Sequence, residues 1–156
     1  IRPHPQSLKV EKNLIENLQK HYVNNPNITW DFTPDNLKTL AKSDVMISDF
    51  SGVIFDYAFI FNKPFIFVNE KINKEIYDMI DCEKPLFALN KIKELGLELK
   101  EENFDKIGEM IDKITNDGDF PRRANELKNI IWQQQGKSAE NIVDFLVKKQ
   151  KEAEKC

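Results

Sequence analysis

Cysteine is scarce in this 156-residue chain: Cys82 and Cys156 lie far apart and belong to no CxxC or Cys/His cluster. That excludes a disulfide framework and a zinc site, and it fits a reducing compartment. No apolar run approaches the roughly 20 residues that cross a bilayer, so a spanning helix is not expected and the chain should be soluble. Positive charge is not in excess. The net charge of −3 argues against a nucleic-acid surface, which normally leaves a basic footprint. Internal repeats and low-complexity tracts are also lacking. What remains is a length suited to a single core, with 40% hydrophobic and 31% charged residues, the composition of a globular domain. The opening Ile1-Arg2-Pro3 reads as the continuation of a longer chain.

The pattern along the chain predicts an α/β arrangement. Pro3 and Pro5 hold His4 in a loop. Leu8, Leu14, Ile15, Leu18 and Tyr22 recur at helical spacing from Ser7 to about Asn24, and Ile28 to Phe32 alternates as a strand does. Asp35 caps a short helix. Val45-Met46-Ile47 is an apolar run of the kind buried on both faces of a parallel sheet. Val53 to Phe61 follows as a nearly unbroken apolar helix, stopped by Asn62-Lys63-Pro64, and Phe65 to Val68 is a third strand. Strand, helix and strand make a βαβ unit, whose ligands bind at the carboxyl ends of the strands. Further helices are expected over Lys71 to Ile80, Asn103 to Thr115, Arg122 to Gln134 and Ser138 to Lys149, with a fraying tail at 151–156.

The turn Ser48-Asp49-Phe50-Ser51-Gly52 therefore falls at a sheet mouth and opens a helix. Unsatisfied N–H groups and the helix dipole make such a place a phosphate cradle. Ser51 brings a hydroxyl donor, and Gly52 lets a ligand approach the backbone. Asp49 would repel phosphate, and capping the helix or fixing the turn is its favoured job. Asp56, alone in an apolar helix, needs an Arg, a Lys, a backbone donor or a ligand hydroxyl if it is buried, and structural pairing is favoured. Arg2 and His4 either decorate an ordinary surface loop or face a phosphate, with His4 able to donate or to shuttle a proton near neutral pH. His21 suits the C-terminal end of its helix. Ser138 reads as an N-cap, and Arg122 as a surface partner of Glu126.

Three segments, IRPHP at the start, SDVMISDFSGVIFDYAFIFNKPFIF in the middle and GKSAENIVDFL near the end, closely resemble the C-terminal half of the CDP-glycerol glycerophosphotransferase family, which makes teichoic acids and related capsular polymers. The resemblance runs from Ile1 to about Phe145. It implies a Rossmann-like parallel sheet, the C-terminal half of a GT-B glycosyltransferase-like fold with a helical C-terminal region. A nucleotide-donor-binding domain would cover 1–150, the N-terminal half lying outside this chain. Matched by position, Arg2 and His4 correspond to residues associated with the donor's diphosphate, with His4 the catalytic assignment. Ser51 corresponds to the first of the family's paired serines, and Asp49 and Asp56 to its two aspartates. Gly52 stands where the family usually has the second serine, and Phe50 where it has tyrosine.

The implied reaction transfers glycerol phosphate, or a related polyol phosphate, from a CDP-activated donor to a lipid-linked polymer, with CMP leaving. Neither cofactor nor metal is implied. The general base would come from the N-terminal half, so this chain alone should bind nucleotide weakly and catalyse little. The full enzyme would work in the cytoplasm, peripheral to the inner face of the membrane. Two other classes compete. A GT-B glycosyltransferase or sugar-nucleotide epimerase using a UDP-sugar shares the architecture. A receiver-like signalling module shares an aspartate at a strand end, but it needs an early acidic pair that is absent, and Lys63 follows Asp49 too closely.

Overall fold

The computed structural model describes residues 1–49, 51–68 and 87–154, without the side chains of 87–89. Phe50, Cys82, Cys156 and the helix expected over Lys71 to Ile80 lie outside the described residues. The chain divides into two compact units, Ile1–Thr39 and Leu40–Cys156.

In the first unit, the helix expected from Ser7 to Asn24 is two helices, α1 (Ser7–Val10) and α2 (Lys12–His21), joined at Glu11. Glu11 leaves helical geometry at φ −120° and ψ 26°, which explains the break. Ile15 is the one described residue of this unit that is buried. His21 does end α2. Residues 28–32 are not a strand. Their backbone pairing with another segment is confined to one point among the described residues: the Ile1 amine donates to the Thr29 carbonyl, and the Asp31 amide donates to the Ile1 carbonyl at 2.9 Å. That is the bond pattern of a single parallel bridge. Helix α3 (Leu37–Lys42) begins where Asp35 Oδ1 accepts the Leu37 amide at 2.9 Å, as its position predicted.

The second unit is an α/β layer structure of Rossmann-like class. Strands β1 (Met46–Ser48), β2 (Phe65–Val68) and β3 (Leu97–Leu99) form a parallel sheet in the order β1-β2-β3. Met46 pairs with Phe65 and Ser48 with Phe67, while Ile66 pairs with Leu97 and Val68 with Leu99. The middle strand is apolar at every position because both its faces are covered. Phe65 and Phe67 face one cluster with Ile54, Tyr57 and Ala58 of α4 (Val53–Ile60), Ile92 and Leu95 of α5 (Phe87–Leu95), and Phe120, Ala124 and Leu127 of α7 (Phe120–Ile131). Ile66 points the other way, to Leu99 and to Ile114 of α6 (Ile107–Thr115). A 3₁₀ turn over Glu101–Lys106 leads into α6, and α8 (Ser138–Ala153) closes the described chain.

Three expectations need correction here. Strand β1 is not buried on both faces: Met46 packs against the core cluster, while Ile47 on the opposite face is 44% exposed. The helical C-terminal half contains β3, whose short Leu-Glu-Leu run carries too little alternation to announce itself. Ser138 is not a cap. The N-cap of α8 is Lys137, and the Ser138 hydroxyl instead donates to the Gln134 carbonyl at 3.1 Å.

Gly96 lets the sheet close. A Cβ built there would lie 2.3 Å from the Phe65 ring, so only glycine allows the α5–β3 junction to approach the most buried aromatic of β2. No helix among the described residues is long and apolar enough to cross a membrane.

Candidate functional site

Parallel strands send their carboxyl ends to one side, and the turn after Ser48 lies on that side. Two anchors fix it from below. The Lys63 ammonium donates to the carbonyls of Ala41 and Ser43, each at 2.7 Å, and the Tyr57 hydroxyl donates to the same Ser43 carbonyl at 3.0 Å. Burial raises the Tyr57 phenol above its ordinary range, so it acts as a neutral donor. Together they bind the end of α3 and the entry to β1 to the helix and loop that follow the turn. In sequence Lys63 serves as part of the Asn62-Lys63-Pro64 helix stop and as an argument against a signalling module, and neither reading gives it this anchoring role. Its place before Pro64, at the end of a helix and the start of a strand, is the signal that was passed over.

The turn itself is shaped by Asp49. Its Oδ1 accepts the Ser51 amide at 3.0 Å and lies 3.5 Å from the Ser48 hydroxyl, an Asx-turn arrangement. Asp49 therefore fixes the turn and does not cap the helix, since the N-cap of α4 is Gly52 with no side-chain cap bond. The same bond engages the Ser51 amide, so of Ser51 only the hydroxyl is left to meet a ligand. Ile54 and Phe55 donate their amides to the carbonyls of Ser51 and Gly52. The N–H groups of Gly52 and Val53 have no partner among the described residues. Gly52 is exposed and has helical φ −57° and ψ −21°, and a Cβ there would meet nothing within 4 Å. Glycine at this position opens space; the backbone does not demand it.

Asp56 corrects the pairing expectation. It is exposed and has no hydrogen bond or ion pair among the described residues. Helical periodicity explains this: residues 54, 57 and 58 turn into the core, whereas 52, 56 and 60 form the outer ridge. A carboxylate on that ridge stays hydrated, and near the start of α4 it is favoured by the dipole. Beside it lies a groove bordered by Phe55, Phe59, Ile60, Ile131 and Trp132. Trp132 was not among the residues singled out from sequence.

In the first unit, Arg2 is heavily engaged. Its Nη1 donates to Asp31 Oδ2 at 2.6 Å and to the Thr33 hydroxyl at 3.3 Å, and its Nη2 donates to the carbonyls of Thr33 and Pro34. Of five N–H donors, this leaves Nε–H. Asp31 is the hub: the Thr39 hydroxyl, the Thr33 hydroxyl and amide, and Arg2 hold its carboxyl well below the usual carboxylate range. Sequence reasoning missed Asp31, which lay inside the presumed strand. His4 is exposed, and its Nδ1 accepts the Gln6 amide at 3.2 Å, so a neutral ring carries its proton on Nε2.

At the start of α7, Arg122 reaches Asp119 at 2.7 Å and Glu126 at 2.6 Å, and Arg123 reaches Asp117 at 2.8 Å. The pairing expected for Arg122 is present, with Asp119 added. These arginines are neutralised within their own segment. No group of three or more His, Cys, Asp or Glu residues suited to a metal occurs among the described residues.

A family model described as CDP-glycerol:poly(glycerophosphate) glycerophosphotransferase matches residues 2–148. No curated protein and no solved structure matches the chain.

Proposed function

This chain belongs to the CDP-glycerol:poly(glycerophosphate) glycerophosphotransferase family, and from that membership we propose that its second unit holds the nucleotide donor at the turn before α4. The observation that carries the reading is the pair of unpartnered N–H groups at Gly52 and Val53, at the carboxyl end of β1. They meet the donor's diphosphate together with the Ser51 hydroxyl, while the dipole of α4 favours its charge. Asp49 holds the turn in shape, and Asp56 accepts from a donor hydroxyl.

The family's name supplies the chemistry. An acceptor hydroxyl attacks the glycerol-bearing phosphorus, the bond from that phosphorus to the CMP oxygen breaks, CMP leaves with the electron pair, and the hydroxyl proton passes to a base. Such transfers depend on positioning and on stabilising charge, which the amides and the serine provide. We assign no base for the acceptor among the described residues. In the first unit, His4 is a donor through Nε2–H, the nitrogen its neutral tautomer leaves protonated. Arg2 holds the loop that carries His4, because Asp31 and two carbonyls already occupy its guanidinium. We extend the acceptor to a lipid-linked polymer at the cytoplasmic membrane face. Transfer of label from CDP-glycerol to membrane-bound polymer, and not to free polyols, is the expected result.

Calorimetry of the chain with CDP-glycerol, CMP and a UDP-sugar tests the donor assignment. Cytidine nucleotides should bind and the UDP-sugar should not. A preference for uridine would move the chain to sugar transfer, and Ser51→Ala should weaken binding without changing the melting temperature.

A further inference from the structure

The turn before α4 is the apex of a clasped loop. Residues 44–56 leave Ser43, run up β1, turn at 48–52 and come back along α4, and α4 and the loop after it are fastened to the place the segment left. The Ser43 carbonyl accepts the Tyr57 hydroxyl at 3.0 Å and the Lys63 ammonium at 2.7 Å, and Lys63 also reaches the Ala41 carbonyl at 2.7 Å. The Ser43 hydroxyl donates back to the Leu40 carbonyl at 3.0 Å, so the acceptor is itself held. Two donors on one carbonyl fill both its lone pairs. Lys63 is the stronger of the two, because a hydrogen bond from an ammonium is roughly twice as strong as a neutral one. At the last turn of α3 its charge also meets the negative end of that helix.

Strand β1 needs such a fastening. It is three residues long, Ile47 gives one of its faces to solvent, and the Met46 amide meets the Pro64 carbonyl only at 3.4 Å. Helix α4 is firmly seated by contrast, with Ile54, Tyr57 and Ala58 at most 1% exposed. The clasp therefore sets the height of the strand against the helix. Tyr57 ties Ser43 to α4, whereas Lys63 ties it to the loop that enters β2. At about 3.3 Å per residue, β1 carries the chain roughly 10 Å from the clasp towards the turn, so a slip at the base reappears at the apex. Resting on the donor reading above, we propose that Lys63 is a positioning residue for the donor's diphosphate. It acts from the base of the loop, where it sets the aim of the Gly52 and Val53 N–H groups.

Lys63→Met keeps a long side chain and removes the charge and the donors. In the ligand-free 156-residue chain, the Gly52 and Val53 amide resonances should move in this variant and return toward their wild-type positions in Lys63→Arg, which restores the donors. Calorimetry should show the affinity for CDP-glycerol and for inorganic pyrophosphate falling roughly tenfold in Lys63→Met, the scale of one hydrogen bond to a charged group, with Lys63→Arg recovering most of it. Lys63→Gln, with neutral donors and a shorter reach, should fall between the two. Ile92→Val, a change in the buried core on α5 that lowers stability by itself, separates aim from stability. It should leave both affinities unchanged at a temperature where every variant is folded. The positioning role is overturned if Lys63→Met leaves either the two amides or the affinities where they were, or if Ile92→Val weakens binding as much. A wild-type chain that binds neither probe overturns the donor reading itself, and the amide shifts then still decide whether the clasp aims the turn.

Discussion

The two units are held by different physics. In the first, one buried aliphatic residue, Ile15, accompanies a polar hub in which Asp31 gathers Arg2, Thr33 and Thr39. In the second, a strand of three fully or nearly fully buried residues, Phe65, Ile66 and Phe67, is enclosed by helices on both faces. Burial of apolar area is non-directional and cumulative, whereas a hydrogen-bond hub is directional and fails when its acceptor is lost. The first unit should therefore be sensitive to charge and pH, and the second to volume.

The largest test of that contrast is Phe65→Ala. Removing this ring should destabilise the second unit by about 3–5 kcal/mol, seen as a melting temperature lower by on the order of 10 °C. A loss below about 1 kcal/mol would mean that β2 is not the centre of the core. Gly96→Ala comes next, at about 1–3 kcal/mol, because the added methyl meets the Phe65 ring. Combining it with Phe65→Leu should recover part of the loss, and failure to do so would place its cost elsewhere.

In the first unit, Asp31→Asn should speed amide exchange at Thr33, whose N–H the carboxylate accepts. Unchanged exchange would remove Asp31 from the hub. Acid should act the same way. Hydrogen bonds from Thr39, Thr33 and Arg2 hold the Asp31 carboxyl below its ordinary value, so its contribution is present above about pH 4 and is lost as pH falls further. A melting temperature that rises on acidification below that point would contradict the sign. The smallest effect is expected from Gly52→Ser. With open space at the Cβ, stability should shift by only a few tenths of a kcal/mol, while the restored hydroxyl alters donor affinity. A large loss of stability would show that the space is not free.

The second unit was the more legible in sequence. The apolar runs Val45-Met46-Ile47 and Phe65 to Val68 and the stop at Asn62-Lys63-Pro64 all found their elements. Asn62 adopts φ 54°, the left-handed geometry that ends helices. Strand β3 was missed because Glu98 interrupts its apolar run, whereas the equally short β1 carries an unbroken one, and the break at Glu11 because apolar spacing carries across it unchanged. The strand expected over residues 28–32 failed for an informative reason. Alternation reports a half-buried ribbon, but Asp31 sits in it as a hydrogen-bond acceptor for side chains, and pairing is confined to Ile1. At the candidate site, residue types were readable and geometry was not. Ser51 and Asp49 were both noticed, but that Asp49 consumes the Ser51 amide depends on the turn's dihedrals. Trp132 becomes visible only when the end of α7 is brought beside α4.

Helix α4 divides labour by angle. Residues 54, 57 and 58 carry the packing, and 52, 56 and 60 carry none of it. The outer side can thus be rewritten without disturbing the core, except at Phe59, which is buried in the core cluster and also borders the groove. An enzyme engineer seeking a different activated donor would vary positions 52, 56 and 60 together and leave their neighbours alone.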